Sequence, residues 1–144
     1  MPANLTHSNA ALRVCIDRAE HGRISGRVFS RRLTQPISFS DIGSLLLQME
    51  AVLDKQNFPQ AFQRTRTFTA GKNTTVPAAA TLDEGMPAEA VAEARGQVST
   101  FMIYVITRRS TTWQGRVDWL DGSPMEEFSS VLELIKLTDQ RLFG

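Results

Sequence analysis

The chain has 144 residues, 42% of them hydrophobic and 22% charged, with a formal net charge of +1. This composition excludes collagen-like, disordered and coiled-coil classes, and the length suffices for one buried core without staples. A single cysteine, Cys15, and two histidines, His7 and His21, exclude an internal disulfide framework and any metal site that needs two cysteines.

Met1–Asn9 is polar, with neither a basic region nor an apolar run of export-signal type. Residues 1–10 therefore read as a tail. The longest apolar runs, such as Leu45-Leu46-Leu47, fall far short of a bilayer span of ~20 residues. With one unpaired cysteine, a cytoplasmic, non-membrane protein is expected.

A first unit follows over residues 11–56. Leu12, Val14 and Ile16 alternate with Arg13, Cys15 and Asp17, the period of a half-buried strand. After a turn at Glu20-His21-Gly22, Ile24, Gly26 and Val28 give a second strand, and Ile37-Ser38-Phe39 a short third one. Ser40 or Asp41 then caps a helix. Its apolar positions, Ile42, Leu45, Leu46, Met49, Val52 and Leu53, lie on one face.

Residues 57–68 hold Phe58, Phe62 and Phe68 and read as an ordered connecting segment, with a strand at Ala61–Phe68. Residues 69–97 are rich in Ala, Thr, Pro and Gly. Such a stretch buries too little to offset its ordering entropy. It reads as a flexible linker with a short helix at Ala88–Arg95, a compact insertion being the alternative.

The second unit, residues 98–144, repeats the first. Phe101–Thr107 is β-branched and aromatic. Trp113, Gly115, Val117 and Trp119 share one side of a second strand, Asp121-Gly122 marks a turn, and Met125–Phe128 returns. Ser129 or Ser130 caps a helix facing inward through Val131, Leu134, Ile135 and Leu142, and Ser130 with Glu133 fits a capping box. Moving Leu12–Leu53 along by 89 positions lays it on Phe101–Leu142 without a gap. The overlay matches Gly26, Arg27, Val28, Phe39, Ser40, Leu45 and Leu53 with identical residues. This internal duplication predicts an α+β fold. Two β-β-β-α units form one antiparallel sheet with both helices packed on one face, in a single pseudo-symmetric domain.

No catalytic constellation emerges. Cys15 lies inside a strand, where a packing role fits better than a reactive thiol. His7 and His21 have no partner at metal-ligand spacing, and neither GxGxxG nor GxxxxGK[ST] occurs. Glu126 and Glu127 point to opposite faces of a strand. Trp113 and Trp119 share the core side with Val117, so packing outweighs a stacking platform. No enzyme activity, cofactor, metal or small-molecule substrate is inferred.

Charge is uneven. Residues 1–72 carry ten Lys/Arg against five Asp/Glu, residues 73–97 one against four, and residues 98–144 five against six. Arg13, Arg23, Arg27, Arg31, Arg32, Arg64 and Arg66 could therefore offer phosphate contacts to a nucleic acid, against the plainer reading of a solvated face. A second surface lies on the strand Phe101–Thr107. Met102, Tyr104 and Ile106 are apolar on the side away from the helices, where the first unit has Arg13, Cys15 and Asp17. That second apolar face needs a cover, either the Phe58–Phe68 segment or a partner.

The tail WQGRVDWLDGSPMEEFSSVLELIKL, with its W-x-G-x-V and F-x-S-x-x-E-L motifs, resembles a group of small bacterial proteins without an assigned activity. ISFSDIGSLLLQMEAVLDKQNFPQAFQRTRTF is similar to the other half of such proteins. The resemblance implies the two-unit architecture and assigns no site residue. The reading is thus a non-catalytic protein–protein interaction module, self-associating as a homodimer in the simplest case. Its alternative is a nucleic-acid-binding protein using the basic first unit.

Overall fold

The computed structural model describes residues 5–60 and 76–143. The expected strand at Ala61–Phe68 and the arginines Arg64 and Arg66 lie outside the described residues. Strands β1 (Leu12–Glu20), β2 (Arg23–Phe29) and β3 (Ile37–Phe39) lead into helix α1 (Ile42–Gln56). A 3-10 turn at Leu82–Glu84 and helix α2 (Ala88–Glu93) precede β4 (Ser99–Thr107), β5 (Gln114–Asp118), β6 (Glu126–Phe128) and helix α3 (Val131–Phe143). All six strands join one sheet in the order β3-β2-β1-β4-β5-β6, every pair antiparallel.

The duplication is written into the register. Ile16 faces Gly26 and Gly26 faces Phe39; Val105 faces Gly115 and Gly115 faces Phe128. Each first strand is irregular at the same place, between Ile16 and Arg18 and between Val105 and Thr107. These are β-bulges, which bend and further twist a strand. β1 and β4 meet with Arg13 opposite Met102. Because these two residues are also equivalent under the 89-residue offset, the pseudo-twofold axis passes between them.

One sheet face carries the core. Leu12, Val14 and Ile16 from β1, and Phe101, Ile103 and Val105 from β4, join Val28, Phe39, Val117 and Phe128 in one buried cluster. α1 adds Leu45, Met49, Val52 and Leu53, and α3 adds Leu134, so both long helices cover this face. Trp113 and Trp119 are buried in the same cluster, as their alternation predicts. Asp41 is the N-cap of α1, its carboxylate accepting from the Ser44 amide at 2.7 Å. In α3 the Ser130 hydroxyl accepts from the Glu133 amide, and the Glu133 carboxylate accepts in turn from the Ser129 amide rather than that of Ser130. The capping box is thus closed one residue upstream.

The C-terminus of α1 is held differently. Asn57 takes a left-handed conformation and donates to the Asp54 carbonyl, while Phe58 donates to that of Leu53. These bonds satisfy carbonyls that a helix end leaves open. Two buried arginines complete the closure. Arg32 donates to Gln56 Oε1, the Ala10 carbonyl and the Phe58 carbonyl. Arg108 donates to the carbonyls of Pro59 and Leu53 and to Asp54 Oδ1. Cations at this end also oppose the negative pole of the helix dipole.

Residues 76–97, the described part of the stretch that reads as a linker, make defined contacts with the sheet; residues 69–75 lie outside the described residues. Val76, Ala79 and Val91 are buried. Thr34 donates to the Pro77 carbonyl, Ala79 to that of Arg32 and Met86 to that of Leu33. Helix α2 ends at Glu93, short of the expected Arg95. The chain then crosses onto the sheet, where Gln97 N donates to Asp17 Oδ1 and Val98 N to the Ile16 carbonyl. Backbone pairing and three small contacts order a segment whose apolar content is low. Among the described residues no helix is long and apolar enough to cross a membrane.

Candidate interaction surface

The sheet face away from α1 and α3 divides at the pseudo-twofold axis. Over the first unit it is roofed by residues 94–97. Arg13 Nε donates to the Ala94 carbonyl at 2.9 Å and Arg27 Nη2 to the Arg95 carbonyl at 2.8 Å. Arg27 also grips Asp17 through two parallel bonds, Nε to Oδ2 at 2.9 Å and Nη2 to Oδ1 at 3.1 Å. These Arg27 hydrogen bonds hold the Asp17 carboxyl below its usual pKa, with help from the Gln97 amide.

Cys15 lies beneath this roof with no exposed surface. Burial pushes its thiol up to about 11, so almost no thiolate exists at neutral pH. A thiol-titrating disulfide reagent is therefore expected to leave the native protein unmodified over hours and to react with one thiol per chain in denaturant. Rapid stoichiometric labelling of the native form would contradict this placement.

Over the second unit the same face is open to a different degree. Met102, Tyr104 and Ile106, equivalent to Arg13, Cys15 and Asp17, are half-buried rather than buried. Tyr104 is the only tyrosine of the chain; its hydroxyl is raised above its ordinary pKa, first by burial and then by the nearby Asp118 charge. The row is edged by charge of both signs. Asp118 pairs with Met102 across the ladder, Arg116 with Tyr104, and Glu127 with Arg116. The Arg116–Glu127 ion pair is long, at 3.9 Å, and both side chains are more than half exposed. An apolar row within a mixed-charge rim is the ordinary anatomy of a protein interface.

The expected arginine surface is not assembled. Arg13 and Arg32 are buried; Arg13 Nε donates to the Ala94 carbonyl, and Arg32 donates to Gln56 and to two backbone carbonyls. Arg32 is pulled down to about 10 by burial and by the charge of Arg108, and it stays a cation at neutral pH. Arg27 is committed to Asp17. Arg31 is half-buried, and its Nε has no partner among the described residues. Arg23 stands exposed at the start of β2. These five arginines do not gather on one exposed face.

Sequence reasoning missed Arg108 and Gln56 as structural polar groups. The only signal was a charged pair, Arg108-Arg109, directly after an apolar strand. His21 occupies the exposed turn between β1 and β2 with φ of 56°; His7 lies beside the Phe58 ring. Among the described residues no group of three His, Cys, Asp or Glu could hold a metal ion. Comparison with family models, curated proteins and solved structures finds no match to this chain.

Proposed function

We propose that this protein is a non-catalytic protein–protein interaction module that pairs with a second copy of itself through the β4 face. The observation that carries the reading is the asymmetry of an otherwise symmetric sheet. Residues 94–97 roof Arg13, Cys15 and Asp17, whereas Met102, Tyr104 and Ile106 are only half-buried. Apolar side chains left partly open to solvent favour association.

A second copy is the occupant best matched to it. The patch carries Arg116 beside Asp118 and Glu127, so a twofold contact can set each arginine against a partner's carboxylate. Isologous contacts of this kind are the commonest oligomeric solution. Pairing through the sheet edges is disfavoured: β3 and β6 are three residues each, and β6 presents Glu126 and Glu127. Short, charged edges resist strand addition.

The test is sedimentation equilibrium of the wild type beside Tyr104→Arg, with circular dichroism to confirm folding. The wild type is expected to be dimeric at tens of micromolar, and the folded variant to dissociate at least about tenfold more readily. A monomeric wild type at that concentration would overturn self-association. An unfolded variant would instead place Tyr104 under an intrachain cover.

A further inference from the structure

A cleft of about 540 Å³ opens between the end of the 88–97 segment, the start of β4 and the turn after β5. Three guanidinium groups line it: Arg13 from β1, Arg95 from the segment that roofs β1, and Arg141 from α3. Asp121 is the one carboxylate in the lining, so the lining side chains sum to a charge of +2. We propose that this cleft binds a small molecule through a dianionic phosphate group.

Arg13 and Arg141 are held by contacts that leave donors unused, while Arg95 is exposed and loosely placed. Arg13 is 7% exposed. Its Nε is held by the Ala94 carbonyl and its Nη1 lies 3.7 Å from Met102 Sδ, while Nη2 has no partner among the described residues. Arg141 pairs through Nη2 with Asp121 and stacks over the Trp119 ring at 4.9 Å; its Nη1 and Nε have no partner among the described residues. Arg95 makes only two long bonds, each 3.4 Å, to the carbonyls of Ala92 and Ala94. Ser99 is also in the lining. Guanidinium forks match phosphate oxygens in pairs and lose less entropy when already held. The volume suits a small ligand rather than a bare ion.

The site adjoins the self-association row where Arg13 meets Met102, but neither Met102 nor Tyr104 is in its lining. Isothermal titration of the full chain with glucose 6-phosphate, inorganic phosphate and succinate tests it, on wild type and Arg95→Gln. Arg95 is exposed and bonds only to carbonyls of its own segment, so the variant should fold with an unchanged melting temperature. Saturable binding of glucose 6-phosphate in the submillimolar range, weakened by about tenfold or more in Arg95→Gln, is the expected result; parallel binding of inorganic phosphate would support the phosphate head group as the recognised part. Absence of saturation up to about 10 mM, affinity unchanged in Arg95→Gln, or equal affinity for succinate would each overturn it.

Discussion

Gly26→Ala and Gly115→Ala are each expected to lower unfolding free energy by about 3 kcal/mol or more, a large share of the stability of an ordinary domain. Neither glycine needs an unusual backbone conformation. The cause is proximity: a Cβ at Gly26 would overlap the Cys15 carbonyl oxygen, and one at Gly115 the Tyr104 carbonyl oxygen. At Gly115 the Phe128 ring would lie 3.0 Å away as well. The clashing atoms are backbone of the first strand of each unit, at the bulge, and cannot rotate aside. Gly122 is the control. Its φ is +89° with nothing within 4 Å of an added Cβ, so alanine there costs only the conformational strain of about 1 kcal/mol. Urea unfolding of the three variants separates the two causes. A loss below about 1 kcal/mol at both strand glycines would contradict the packing described for the bulges.

Arg32→Met is expected to destabilise the domain by about 2–3 kcal/mol. The substitution keeps an apolar stem of similar length and removes the guanidinium. Gln56 Oε1 and the carbonyls of Phe58 and Ala10 then lose charge-assisted donors in a site water does not reach, as Arg32 is 2% exposed. Relief of the repulsion from Arg108 and of the desolvated charge offsets part of this, which holds the figure below a simple sum of three bonds. Thermal denaturation should register a fall in melting temperature of several degrees. An unchanged or raised melting temperature would mean that the guanidinium's desolvation outweighs its bonds.

These two sites also show where sequence and structure part company. The strands and both long helices followed from alternation, helical spacing and the 89-residue offset. Those signals depend on which residues are apolar, and apolar burial decides them. The third strands, only three residues long, were readable because Phe39 and Phe128 each lead directly into a capped helix. The order of residues 76–97 was not readable, because their anchoring uses backbone groups that every sequence carries. Arg27 looks like a phosphate ligand in a sequence, yet its acceptors are the Asp17 carboxylate and the carbonyl of Arg95, 68 residues away along the chain. Arg32 likewise is held by Gln56 and by the carbonyls of Ala10 and Phe58. A count of charge says nothing about which oxygens lie in reach. The Met102, Tyr104 and Ile106 row, by contrast, was legible from parity alone, although its exposure was not.

Tyr104 offers the most direct test of self-association through β4, since a chain with one tyrosine gives one unambiguous set of ring resonances. In protein labelled with carbon-13 only at tyrosine, those signals are to be followed through a dilution series from hundreds of micromolar to a few micromolar. Burial of the ring by a second copy predicts shifts that move with concentration along a single dimerisation curve, whose midpoint matches sedimentation. Ring signals that stay fixed across the whole series, while sedimentation changes or remains monomeric, would contradict an interface at this strand.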